Sequence, residues 1–98
     1  MPDEIFRVNT SLRLPGLGVL LLPAPPAPAW LAGPALHTTL PMRLHQPAQP
    51  ALSLAATIEE VSQPGQLPTR ALLLDADPGD ITANAWLEAM PGQANELW

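Results

Sequence analysis

The chain has 98 residues and a formal net charge of −5, with nine carboxylates against four arginines and neither Cys nor Lys. A chain of this length forms one domain with a small core. The absence of Cys excludes disulfides, thiolate catalysis and Cys-ligated metal centres. The absence of Lys excludes Schiff-base chemistry and the lysine of a P-loop. The acidic balance disfavours binding to nucleic acid and to anionic membranes, since both need a basic face.

Apolar residues make up 47% of the chain, too many for a disordered protein. Residues 17–22 and the small residues around Pro28 resemble a secretory signal, but the apolar run is short and acidic residues precede it. No run approaches the roughly 20 apolar residues of a membrane span. Since the chain also begins at Met1, we expect a soluble cytoplasmic protein that does not associate with membranes.

The first predicted strand covers residues 5–14, where apolar and polar side chains alternate. Alternation of this kind is typical of a half-buried strand. It predicts one inward face formed by Phe6, Val8, Thr10, Leu12 and Leu14. A Pro-Gly turn follows, and the continuous apolar run at residues 17–22 predicts a second strand that is buried on both faces.

Residues 23–34 form a proline-rich loop, in which PAPPAP predicts a short polyproline II connector. Trp30 and Leu31 are expected to fold its end back onto the core. Alternation resumes at residues 35–45 and predicts a third strand, with five side chains facing inward: Leu36, Thr38, Leu40, Met42 and Leu44. Pro41 lacks an amide donor, so this strand should lie at an edge, a bulge or a bend.

Residues 51–62 form the longest run without Pro or Gly, and its alternation favours a strand over a helix. Residues 70–76 are predicted as a further strand. At residues 77–80, Pro and Gly hold the second and third positions preferred in a type II turn.

Residues 81–90 give conflicting signals. Asp80 is a possible N-cap, three alanines follow, and Pro91-Gly92 is a stop signal, so local propensity favours a ten-residue helix. Alternation also fits, with Ile81, Ala83, Ala85 and Leu87 on one face. Residues 91–98 are expected to be a flexible tail.

The two histidines are candidate metal ligands or catalytic bases, with Ser11, Thr39 or Ser53 as nucleophiles on paper. On a regular strand His37 and His45 lie roughly 26 Å apart, which is too far to ligate one ion without a sharp bend. No nucleophile elbow surrounds the hydroxyl residues. Two exposed polar positions on a strand are the simpler interpretation.

The densest acidic cluster lies at residues 75–80 and contains Asp75, Asp77 and Asp80. It resembles the start of a calcium loop, but Gly and Glu are missing at the sixth and twelfth positions. Carboxylates beside a tight turn explain the cluster without an ion. Two minimal P-x-x-P patterns lie in the proline-rich loop, but no Arg or Lys flanks them, which favours a spacer over a docking motif.

The order of strands and glycines resembles the β-barrel second domain of translational GTPases such as the translation elongation factors. Residues 6–14 resemble its opening strand, and Gly16-Leu17-Gly18-Val19 with the leucines that follow resembles its Gly-x-Gly element and apolar strand. Trp30-Leu31-Ala32-Gly33 and residues 56–61 and 71–74 are similar to its later elements. The resemblance covers residues 5–88 and implies that residues 81–87 form the last strand. It also implies contact with a GTPase domain and with charged tRNA.

The sequence therefore predicts an all-β fold, a small antiparallel β-barrel or strongly curled sheet of six to seven strands over residues 5–90. The leading functional hypothesis is a non-enzymatic binding or scaffold module that contacts another protein, with no cofactor. Its candidate contact residues are Trp30, Leu31 and Trp98. Two alternatives remain: a translation-associated RNA-binding barrel, and a small metal-binding protein or hydrolase that uses His37, His45 or the acidic turn.

Overall fold

The fold is all-β, as predicted. The computed structural model describes residues 5–76, 78–82 and 84–90, and the predicted tail at 91–98 lies outside them. The described strands are β1 Phe6–Leu14, β2 Gly18–Pro23, β3 Thr39–His45, β4 Leu52–Val61, β5 Thr69–Leu74 and β6 Trp86–Ala89. A short 3₁₀ helix at Ala29–Ala32 interrupts the connection from β2 to β3.

The six strands close into one antiparallel barrel in the order β1-β2-β5-β4-β3-β6, with β6 returning to β1. Strands β3, β4 and β5 are joined as successive hairpins, and β6 then returns to lie beside β3. This arrangement is a Greek key. Among the described residues the strands therefore form a closed barrel of six, and not an open, curled sheet or a barrel of seven strands.

The barrel interior is filled by apolar side chains from every strand, and the largest fully buried ones are Phe6, Leu21, Met42, Leu44, Ile58, Leu72, Leu74 and Leu87. Leu31 of the 3₁₀ helix joins this core, and the helix packs against β5. Ala85, just before β6, joins it as well, and Ile81 packs against it. The two long connections thus contribute apolar side chains to the same core as the strands.

A β-bulge in β1 overturns the prediction of a single inward face. Phe6 and Val8 are buried in the core, but the register against β2 shifts between Val8 and Thr10, which leaves Asn9 as the extra residue. One extra residue moves all later side chains to the opposite face. Leu12 is consequently 46% exposed on the outside of the barrel instead of buried within it.

Two strand starts differ from the prediction. β3 begins at Thr39, because His37 adopts a positive φ of 72° that an extended strand does not allow, and Leu36 is therefore exposed. β2 begins at Gly18, and Leu17 lies in the preceding turn with 63% of its surface exposed. The predicted strands were right in kind and order at both places.

Residues 81–90 form a strand only from Trp86 to Ala89, and among the described residues of this segment there is no helix. Ile81 and Thr82 belong instead to a loop, tied to the β3–β4 turn by a 2.9 Å hydrogen bond from the Thr82 amide to Oε1 of Gln46. Gly79 has a φ of +90°, which suits the third position of the predicted type II turn. Asp77, the first residue of that turn, lies outside the described residues.

Pro41 lies inside the closed barrel instead of at a sheet edge. It pairs with Ala55 of β4 on one side. On the other side its carbonyl accepts a 3.0 Å hydrogen bond from the amide of Met90, just after the end of β6. A residue in a strand directs its N–H and C=O to the same side. The donor that proline lacks would thus face the end of β6, where the ladder stops.

Candidate binding surface

The bulge at Asn9 places leucines in one row across the outside of three strands. Leu12 of β1 pairs with Leu20 of β2, and Leu20 pairs with Leu73 of β5. Directly paired residues share one face of a sheet. Leu20 is buried yet lies outside the core cluster, as expected for an outer residue covered by leucines on both sides. We call Leu12, Leu20, Leu22 and Leu73 the leucine face.

The leucine face carries no charge. Strand β2 contains no charged residue, and the outward positions of β5 hold Thr69, Ala71 and Leu73. Leu12 is 46% exposed, while Leu22 and Leu73 are half-buried. Singly exposed leucines are ordinary, but a contiguous apolar group on the outside of a small domain is typical of an interaction surface.

 A groove lies beside the leucine face, at the β4–β5 loop. The groove at the β4–β5 loop has a volume of about 170 Å³. A separate cavity of about 330 Å³ lies at the β1–β2 turn.

The groove is lined by half-buried Leu22, Pro23 and Val61 and by the exposed amide side chains of Asn9, Gln63 and Gln66. Leu67, at its rim, is 86% exposed, the most exposed of the large apolar side chains that the structure describes. Leu22 belongs to both the groove and the leucine face, so the two form one continuous surface.

The outside of β3 and β6 is polar by contrast. Nε2 of His45 lies 2.6 Å from Oε2 of Glu88, and the His45 ring stacks on Trp86 with centroids 4.0 Å apart. Trp86 also pairs with Arg7 of β1. These two contacts, a side-chain hydrogen bond and a stacked pair of rings, connect β6 to β3 on the outside of the barrel.

Replacing Glu88 with Gln is expected to lower the free energy of unfolding by about 0.5–1 kcal/mol at neutral pH. The substitution removes the charge from a partly exposed pair, and such pairs contribute little. Urea unfolding followed by tryptophan fluorescence measures the change. The variant Glu60→Gln, at an exposed residue of β4, is the matched control, and it should change the free energy of unfolding by less than Glu88→Gln does. A loss above about 2 kcal/mol would contradict a peripheral role.

The predicted contact residues are placed as follows. Leu31 is 3% exposed within the core, and Trp30 is half-buried, with its ring centroid 6.5 Å from that of Phe6. Arg70 donates hydrogen bonds to the carbonyls of Leu31 and Pro34, which fixes the 3₁₀ helix on the barrel. Trp98 lies outside the described residues. Contact of these residues with a partner stays a prediction.

The predicted catalytic or metal-binding residues are not brought together among the described residues. Nδ1 of His37 lies 3.0 Å from Oε1 of Glu59, whereas His45 pairs with Glu88. No group of three His, Asp or Glu side chains that could hold a metal ion occurs in the described part of the chain. Asp75 and Asp80 line two different cavities.

The four arginines are distributed over the barrel. Arg7 and Arg43 lie on the outer polar face, Arg13 lies beside the β1–β2 turn, and Arg70 binds the 3₁₀ helix. A nucleic-acid interface needs several cations on one surface. This distribution does not favour the RNA-binding alternative over a protein-binding surface.

No protein-family model matches the chain, and comparison with curated proteins and with solved structures gives no significant match. The resemblance to the second domain of translational GTPases therefore stays a prediction. Among the described residues, no helix has the length and apolar character required to cross a membrane.

Sequence reasoning missed the leucine face because it placed Leu12 and Leu14 in the core. The signal that points to it is the unbroken apolar run in β2, whose alternate residues Leu20 and Leu22 must face outward in any half-buried strand. The bulge itself has no clear sequence marker, since Asn9 continues the alternation without interruption.

Proposed function

We propose that this barrel is a non-enzymatic binding module that contacts another protein through the leucine face. The observation that supports the proposal is the outward row of Leu12, Leu20 and Leu73, in which Leu12 remains 46% exposed. Burial of such an apolar surface against a partner stabilises the complex by about 25 cal/mol per Å² of surface removed from water.

The position of the surface within the fold supports the same function. Strands β2 and β5 are each paired on both sides in the closed barrel, so the leucine face rests on a rigid support. A rigid surface loses little conformational entropy on binding. The absence of charge on the leucine face suits a partner with an apolar contact surface and does not suit nucleic acid.

A photo-crosslinking residue placed at position 12 tests the proposal in cells that express the protein naturally. We expect a discrete protein adduct from position 12 and none from position 53, since Ser53 is exposed on the polar side of the barrel. Adding Leu73→Gln should reduce the adduct several-fold. Circular dichroism checks that each variant retains its strands.

Repeated failure to obtain an adduct at position 12 from a folded barrel would count against the proposal. Equal yields of the same adduct from positions 12 and 53 would also count against it, because contact would then not depend on the leucine face.

A further inference from the structure

We propose that the groove at the β4–β5 loop binds one large apolar side chain of an extended peptide, while its amide side chains bind the peptide backbone on either side. This inference rests on the proposed function, because it identifies the part of the partner that the surface recognises. Three features of the groove carry it: its size, its uncharged lining and its position at a β-bulge.

The size of the groove fits one side chain. Its volume of about 170 Å³ is close to the roughly 150 Å³ of an engineered apolar cavity that accepts benzene. Leu22, Pro23 and Val61 supply the apolar contact. A single ring or branched aliphatic group is therefore the appropriate occupant, and a drug-sized ligand needs a larger cavity.

The lining selects for an uncharged ligand. None of the residues that line the groove is charged, so a phosphate, a carboxylate or a metal ion finds no counter-charge there. Asn9, Gln63 and Gln66 each offer both a carbonyl acceptor and an NH₂ donor. Peptide groups present the same two functions, and a chain in extended conformation presents them at regular intervals.

The bulge places backbone groups beside the groove. Asn9 has no partner in the register of β1 with β2. A bulge leaves the ladder locally unpaired, and bulges occur frequently next to functional sites. The groove also adjoins the leucine face at Leu22, so a peptide anchored in the groove continues along an apolar surface.

An NMR titration of the full chain labelled with ¹⁵N tests the inference. The probes are N-acetyl-phenylalanine methylamide and N-acetyl-leucine methylamide, with N-acetyl-aspartate methylamide as the charged control. We expect saturable shifts at millimolar concentration for the apolar probes, confined to Asn9, Leu22, Val61 and the β4–β5 loop. The charged control should bind at least tenfold more weakly.

Two groove variants and one control variant make the test specific to the groove. Val61→Glu introduces a charge into it and should abolish the shifts, while the rest of the spectrum reports whether the barrel remains folded. Leu67→Ala alters an 86% exposed side chain, so it should retain the fold and weaken probe binding several-fold. Ser53→Ala, on the polar side, should leave binding unchanged.

The inference is overturned if the apolar probes shift no groove residue, or if the aspartate probe binds equally well. Shifts at the groove that grow with protein concentration in the absence of probe would also overturn it, because a second copy would then be the occupant. If the probes do not bind but the cross-linked adduct at position 12 still forms, this inference fails while the proposed function stands.

Discussion

Replacing Gly18 with Ala is expected to destabilise the barrel by about 3–5 kcal/mol, because two penalties combine at this residue. Gly18 has a φ of +131°, a conformation that residues with a side chain rarely adopt. An added Cβ would also overlap the backbone carbonyl oxygen of Leu74 and lie 3.1 Å from its carbon. Since both groups are backbone, neither can move aside without disturbing the β2–β5 pairing.

The variant Gly16→Ala is the matched control for this prediction. Gly16 lies in the same turn and also has a positive φ, +81°, but nothing lies within 4 Å of an added Cβ. Its substitution should therefore cost only the conformational penalty of about 1–2 kcal/mol. Thermal unfolding of Gly18→Ala should show a Tm lower by at least about 12 °C, at roughly 4 °C per kcal/mol. Equal drops for the two variants would contradict the close approach of β2 to β5.

The sequence predicted the strands because their determinants are local. Alternating side chains separated by Pro and Gly indicated β1, β3 and β4. That the strand of Pro41 is paired on both sides became clear only from the closed barrel. The end of β3 at His45 and the extent of β4 followed from turn residues nearby. The closing contacts of β6 are non-local, so neither helix propensity nor alternation located its start at Trp86.

The candidate surface was harder to predict because it depends on one inserted residue. Asn9 changes which face of β1 is buried, although the pattern of residue types continues past it. The groove depends further on the packing of the β4–β5 loop beside β2, a contact between residues about 40 positions apart. Loop conformation and register are set by the whole barrel, so they are not encoded in any short segment.

Replacing Leu31 with Ala is expected to lower the free energy of unfolding by about 2–5 kcal/mol, as for other buried leucines. Leu31 is 3% exposed and belongs to the core, although it lies in a connection outside the strands. Its loss leaves a cavity where the 3₁₀ helix meets the barrel. Thermal unfolding of Leu31→Ala should show a Tm lower by at least about 8 °C, at roughly 4 °C per kcal/mol.

The variant Leu67→Ala provides the matched control, since the same atoms are removed from a side chain that is 86% exposed. Its free energy of unfolding should change by no more than about 0.5 kcal/mol. If Leu31 served mainly to contact a partner, Leu31→Ala would leave the stability of the isolated chain unchanged and would reduce only the yield of cross-linked adduct. A large loss of stability instead assigns Leu31 to the core and removes it from the candidate contact residues.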